Sequence, residues 1–125
     1  MIEILLIALT IYFEAGNQPI KGQQAVANVI LNRCQHYGKS PPEIIFQPLQ
    51  FSCYNDKKYI NKHFKKLTAD KFKIALQATV KAMQKDCTKG ALFYDVLKNG
   101  NGKIRVKRLV KTVKIGNHNF YKIKG

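Results

Sequence analysis

Glu14 has the setting in which a carboxylate could do chemistry. It closes a nearly unbroken apolar run, Ile4 to Phe13, that holds no Pro or Gly, and Gly16 and Pro19 stop the run just beyond it. Such a run reads as a helix over residues 2–15. It is apolar on all sides, so it is expected inside the protein. A carboxyl on the last turn of a buried helix meets the negative end of the helix dipole and an apolar surround, and both raise its pKa. A carboxyl kept protonated near neutral pH is what a general acid requires. The plainer alternative is a Glu that reaches water at the helix end, as exposed glutamates commonly do.

Other reactive groups are scarce. Cys34, Cys53 and Cys87 are odd in number and widely spaced, with no C-x-x-C, which excludes a disulfide framework or a cysteine zinc site. Free thiols fit a reducing cytoplasm, and each reads as a small core residue. His36, His63 and His118 are scattered, so no metal site is expected, and no cofactor either. Glu43 follows Ser40-Pro41-Pro42 in the form of a capping box and is accounted for by that role. Asp95, beside Tyr94 on a presumed strand, is the best remaining second acid.

The elements that must position these groups follow from the hydrophobic period. A second helix is expected over residues 22–34, where Ala25, Val26, Val29 and Ile30 recur at helical spacing and the small Ala25 and Ala27 permit close packing. A short helix over 41–46 follows the capping box. Residues 47–67 read as irregular, and a loop of that length is usually functional or mobile. Thr68 and Asp70 open a helix over 69–85, with Phe72, Ala75, Leu76, Thr79, Val80 and Met83 as its buried stripe. The period then changes. Ala91 to Val96 is β-rich, Asn99-Gly100-Asn101-Gly102 signals a turn, and Ile104 and Val106 alternate with cations. Leu109, Lys111, Val113 and Ile115 take the opposite phase, which requires a bulge or break. After a Gly116-Asn117 turn, Asn119 to Ile123 should form a last strand. The whole is one α+β domain, residues 1–125, mainly helical with a small antiparallel sheet near the C-terminus.

Charge is unevenly placed in the 125-residue chain, whose formal net charge is +15. Residues 1–56 hold three basic and four acidic residues, whereas residues 57–125 hold 19 basic and three acidic. That part should present a strong positive field to an anionic partner. Nucleic acid, an anionic membrane surface and an anionic cell-wall polymer all fit the charge. No nucleic-acid-binding signature is present, so a specific nucleic acid is not expected. The N-terminal apolar run is too short to span a bilayer and has no basic flank, so it does not read as a signal peptide. Synthesis in the cytoplasm as a monomer is the expectation.

Five blocks of sequence resemble one family. Thr10-x-Tyr12-x-Glu14-Ala15 is followed by Pro19-x-x-Gly22-Gln23-x-Ala25-Val26-Ala27-x-Val29-x-Leu31-Asn32-Arg33. Then come Gln50-Phe51-Ser52, Gly90-Ala91-x-x-Tyr94 and Lys114-Ile115-Gly116-Asn117-His118-x-Phe120-Tyr121, in that order. Together they resemble the cell-wall hydrolases typified by the catalytic domain of the SleB spore-cortex-lytic enzymes. The resemblance implies a lysozyme-like fold and cleavage of peptidoglycan glycan strands between N-acetylmuramic acid and N-acetylglucosamine. It places the family's catalytic glutamate on Glu14. The sequence departs from the family where Glu-Ala-Arg-Gly-Glu is usual: here it reads Glu14-Ala15-Gly16-Asn17-Gln18. Cys53 stands where a Trp often follows Gln-Phe-Ser.

The scarcity of acids bears on mechanism. Most glycosidases use two carboxylates. A lytic transglycosylase needs one, because the muramic acid C6 hydroxyl replaces water as the nucleophile. Glu14 alone would then serve as acid and base, with Gln50, Ser52, Tyr94, Tyr121 and Asp95 as candidate substrate-binding groups. The alternatives are a hydrolytic muramidase in which Asp95 assists Glu14, and a non-catalytic basic module that binds nucleic acid or anionic wall polymer. The action is expected at the bacterial cell wall, as a bacteriophage endolysin or in wall remodelling. The basic C-terminal part would hold the chain to wall polymers or membrane.

Overall fold

The computed structural model describes residues 2–47, 51–96 and 108–124. In chain order the elements are α1 (Ile2–Ala15), α2 (Ile20–Tyr37), α3 (Pro41–Ile45), a 3-10 turn (Ser52–Asn55), α4 (Lys57–Lys66), α5 (Ala69–Gln84), β1 (Phe93–Val96), β2 (Leu109–Ile115) and β3 (His118–Ile123). The mainly helical chain with a small C-terminal antiparallel sheet matches the sequence reading. The Asn99–Gly102 turn signal, Ile104 and Val106 lie outside the described residues. The break expected between Val106 and Leu109 also begins outside them; a separate register shift lies within β2, between Lys111 and Val113.

The core forms where α1, α2 and α5 pack against one another. Ile7, Ile11, Phe13, Val26, Ile30, Ile44, Ile45, Phe51 and Ala75 meet there. α1 is not buried throughout, as its composition predicts. Its first turns leave Ile2 82% and Leu5 41% exposed, and burial deepens toward the end that carries Glu14. α2 buries Ala25, Val26, Val29 and Ile30 as their spacing predicts, and extends past the expected limits at both ends. Gly38 ends it in the left-handed conformation at φ 63°, with its N–H on the Cys34 carbonyl. At α3 the Ser40–Glu43 capping box is present in full. Its hydrogen bonds hold the Glu43 carboxyl below its ordinary pKa.

Two expectations are overturned. Residues 57–66 form a helix, not an irregular loop: the Asp56 carboxylate caps it by accepting the Lys58 and Tyr59 N–H groups at 3.0 and 3.1 Å. The inward face of α5 is also shifted: Ala75 and Thr79 are buried and Phe72 and Leu76 half-buried as read, but Val80 and Met83 give way to Ala78 and Ala82. Val80 is 43% and Met83 54% exposed. Small side chains let α5 lie close to α1 and α2, and the larger ones are left outside.

The sheet has the order β1-β3-β2, antiparallel throughout. Phe120 on β3 is fully buried with Ala25, Val29, Ala91 and Ile115, which seats the sheet on α2. Polar groups fix that seat. Asn28, buried in α2, donates to the carbonyls of Ala82 and Lys85 at 3.0 and 3.2 Å and accepts from the Cys87 N–H at 3.1 Å. Asn32 donates to Asp86 and to the Ala91 carbonyl, both at 3.0 Å. Arg33 donates to the Leu92 carbonyl at 2.5 Å and lies over the Phe93 ring. The chain entering β1 is therefore set by α2. At the other end of the sheet, Gly116 turns at φ 58°, where a Cβ would lie 2.6 Å from the Gln18 amide oxygen.

Candidate active site

Glu14 sits on the last turn of α1, half-buried. Two clefts meet at it. One, of about 470 Å³, is lined by Tyr12, Phe13, Gly16, Asn17, Tyr59, His63, Lys66 and Lys71 besides Glu14. The other, of about 350 Å³, is lined by Cys53, Asn55, Asp56 and Tyr59 besides Glu14. Burial raises the Glu14 pKa, and a hydrogen bond from the Cys53 thiol opposes it. The thiol is itself raised by burial and by the Glu14 charge, so it stays protonated and donates. Burial therefore favours the acid, while the thiol supports the carboxylate once the proton has left.

Three phenols surround this carboxyl. Burial and the Glu14 charge raise Tyr59 and hold Tyr94 well above the ordinary value, and Tyr54 is pushed up to about 12. Tyr59 donates to the Phe13 carbonyl at 2.6 Å, and Tyr12 donates to the His63 carbonyl at 2.6 Å. Each tyrosine thus satisfies a carbonyl in the last turn of the opposite helix, which has no partner within its own helix. This pair of bonds clasps α4 to the end of α1. Thr10 gives its proton to the Leu6 carbonyl at 2.8 Å, so at its 2.7 Å contact with Tyr54 the phenol is the donor. The Tyr94 hydroxyl makes no hydrogen bond among the described residues, and Tyr94, packed against the core, lines neither cleft. Gly16 is required beside the site, because a Cβ there would lie 2.5 Å from the Tyr12 carbonyl oxygen.

The predicted site residues divide. Tyr94 comes within electrostatic reach of Glu14 but lines neither cleft. Asp95 and Tyr121 are turned away from them. Tyr94 pairs with Phe120 across β1 and β3, while Asp95 pairs with Asn119 and Tyr121 with Phe93. Alternation along a strand sends these two pairs to the opposite face from Tyr94. Asp95 lines neither cleft at Glu14. Ser52 begins the 3-10 turn that also carries Cys53, and Gln50 lies outside the described residues. Sequence reasoning missed Tyr54, Tyr59, Cys53, Asp56, Lys66 and Lys71. Most of these belong to the stretch read as irregular. The signal was available there: Asp56 is a helix-capping residue, and Tyr59, Ile60, His63, Phe64 and Leu67 recur at helical spacing.

Among the described residues no group of three His, Cys, Asp or Glu side chains is placed to hold a metal ion. No helix among them is long and apolar enough to cross a membrane. A separate depression between α2 and β3, lined by Asn32, Gln35, His36, Gly90, Leu92, Lys122 and Ile123, holds no carboxylate.

The sequence model of the cell wall hydrolase family matches residues 17–121, most of the chain. This chain belongs to the cell wall hydrolase family. The matched span begins just after Glu14. This family member resembles the crystal structure of the catalytic domain of the Bacillus cereus SleB protein, with a TM-score of 0.76 and 30% identity, covering 96% of this chain and 89% of that one. The catalytic domain of a germination-specific lytic transglycosylase, SleB of Bacillus anthracis, gives a TM-score of 0.75 at 27% identity, covering 96% of this chain and 93% of that one. In sequence, 56 residues, 43% of the chain, are 41% identical to the spore cortex-lytic enzyme of Bacillus subtilis strain 168. They cover 18% of that protein's length.

Proposed function

We propose that this chain cleaves the glycan strands of bacterial peptidoglycan as a lytic transglycosylase, with Glu14 as the single acid and base. The observation that carries the reading is the half-buried Glu14 at the junction of two clefts, its proton favoured by burial. Two adjoining clefts that share the acid and Tyr59 give room for a polymer on either part of the cut bond. Glu14 gives its proton to the oxygen between muramic acid C1 and the next sugar, and the C1–O bond breaks. The muramic acid C6 hydroxyl bonds to C1, and the Glu14 carboxylate takes the hydroxyl proton. The product is a 1,6-anhydro sugar, Glu14 ends protonated, and no water is consumed. Cys53 steadies the carboxylate between the two proton transfers. The Bacillus anthracis relative, a germination-specific lytic transglycosylase, supports this reading.

A second reading rests on Asp56, the other carboxylate that lines the clefts. If it positions a water, C1 is attacked by water and the ends are reducing. Asp56 replaces Asp95 in that role because Asp95 faces away. The test is digestion of purified peptidoglycan by wild type and Glu14→Gln, with mass spectrometry of the soluble fragments. Anhydro-muramic ends made by wild type alone support the transglycosylase. Reducing ends shift the assignment to hydrolysis. Equal cleavage by Glu14→Gln removes Glu14 from the mechanism.

A further inference from the structure

One wall of the Glu14 cleft is cationic. Lys66, the last residue of α4, and Lys71, in the first turn of α5, both line the cleft that holds Glu14. Neither is paired with a carboxylate among the described residues. Lys71 donates to the Lys66 carbonyl at 3.2 Å, which places its ammonium at the carbonyl end of α4, where the helix dipole favours a cation. α4 adds Lys57, Lys58, Lys62 and Lys65 beside them and carries no acidic side chain. The strong positive field read in the sequence thus reaches the reaction site itself. A neutral sugar gives such a wall nothing to neutralise, so the feature calls for an anion within reach of the strand being cut.

Building on the proposed function, we propose that Lys66 and Lys71 receive the carboxylates of the peptide carried by muramic acid, so that the chain selects peptide-bearing over peptide-free glycan. The peptide hangs from the same sugar whose C1–O bond Glu14 breaks. When that bond lies at Glu14, the peptide must leave through one of the adjoining clefts. A phosphate-rich wall polymer joined through the muramic acid C6 oxygen would occupy the hydroxyl that attacks C1, so the sugar cut there carries none. A peptide is also long enough to reach the cleft's outer lysines without moving the sugar from the acid.

Binding tests the assignment apart from catalysis. Glycan strands with their peptides intact, and the same strands stripped by an amidase, are titrated with Glu14→Gln protein, which leaves them uncut. Lys66→Gln/Lys71→Gln in that background should weaken binding of the peptide-bearing strands about fivefold and leave the stripped strands unchanged. Lys73→Gln/Lys81→Gln removes the same charge from the separate groove on α5 and should change neither by more than about twofold. Equal weakening on both strands, an equal effect from the α5 pair, or no effect overturns the proposal. Displacement by a glycerol-phosphate polymer without discrimination between the strands does so too. If the double variant melts early, Lys66→Glu alone gives the same reading, because the backbone carbonyl that holds Lys71 is kept. If Glu14→Gln still cut the strands, the proposed function would fail in the product spectra, while the lysine-dependent strand preference would still be read from the initial association rate, so the two readings fail separately.

Discussion

Two regions approach Glu14, and they are held by different means. The one that carries Tyr94 is set from inside the protein. Asn28 and Arg33 are buried, and with Asn32 they hold residues 82–92, which lead into β1. The wall formed by α4 buries no residue at all. It hangs from the end of α1 by the Tyr12 and Tyr59 hydroxyls, with the Phe13 and Phe64 rings 6.4 Å apart beneath it. The contrast separates two tasks. A frame that fixes the surroundings of an acid gains from a rigid seat. A wall that must admit a polymer gains from a loose one, because segments with few buried contacts open at low free-energy cost.

The comparison breaks most sharply at Asn28. Asn28→Ala strips a partner from the Cys87 N–H and from the buried Ala82 carbonyl, while the Lys85 carbonyl keeps Gln24. It should cost about 3 kcal/mol of folding free energy, measured by denaturant titration, because orphaned buried groups lose their full desolvation penalty. A loss under about 1 kcal/mol would show that water replaces the side chain. On the other wall, Tyr12→Phe and Tyr59→Phe should each cost about 1 kcal/mol, since each deletes one hydrogen bond. Hydrogen exchange should then speed up in α4 while α2 stays protected. Equal acceleration in both helices would mean that the two walls unfold as one.

The same contrast explains what was legible in the sequence. The buried wall could be read because its elements repeat small and apolar residues at fixed periods: Ala25, Val26, Val29 and Ile30 in α2 all face inward. The capping box at Ser40 is a local motif and formed as read. Glu14 was placed on its helix end by the apolar run before it. α4 was masked by its five lysines, which drown a helical stripe of half-buried residues. Part of the α5 stripe was misread because hydropathy ranks Val80 and Met83 above Ala78 and Ala82. Close helix packing selects for size instead. The approach of Tyr94 to Glu14, 80 residues apart in sequence, depends on β1 pairing with β3, and no local signal encodes that.

A smaller effect sharpens the electrostatic side of the comparison. Burial raises the Glu14 pKa, so the folded protein binds its proton more tightly than the unfolded chain does. Ionising Glu14 therefore costs stability, and the cost grows as pH rises from the ordinary glutamate range through the raised value. Glu14→Gln removes that cost. The variant should unfold at a higher temperature than wild type at neutral pH, with the gap closing as pH falls below the ordinary glutamate value. A gap that stays constant with pH would mean that the effect comes from packing and not from the charge. His118 acts with the opposite sign in both proteins. Burial lowers its pKa, so stability is lost as pH falls below the ordinary histidine value. Only the difference between wild type and variant isolates Glu14.

The smallest expected change concerns Asp56, which serves the loose wall as a helix cap whether or not it serves the reaction. Asparagine caps a helix about as well as aspartate. Asp56→Asn should therefore keep stability within about 0.5 kcal/mol, while Asp56→Ala loses the cap and about 1 kcal/mol. If Glu14 acts alone, both variants give the wild-type anhydro products, and Asp56→Ala is slower only to the extent that α4 frays. If Asp56 positions a water, Asp56→Asn loses the reducing ends although α4 is intact. The pair of variants separates a carboxylate that shapes the cleft from one that takes part in the chemistry, and melting curves beside product spectra are enough to tell them apart.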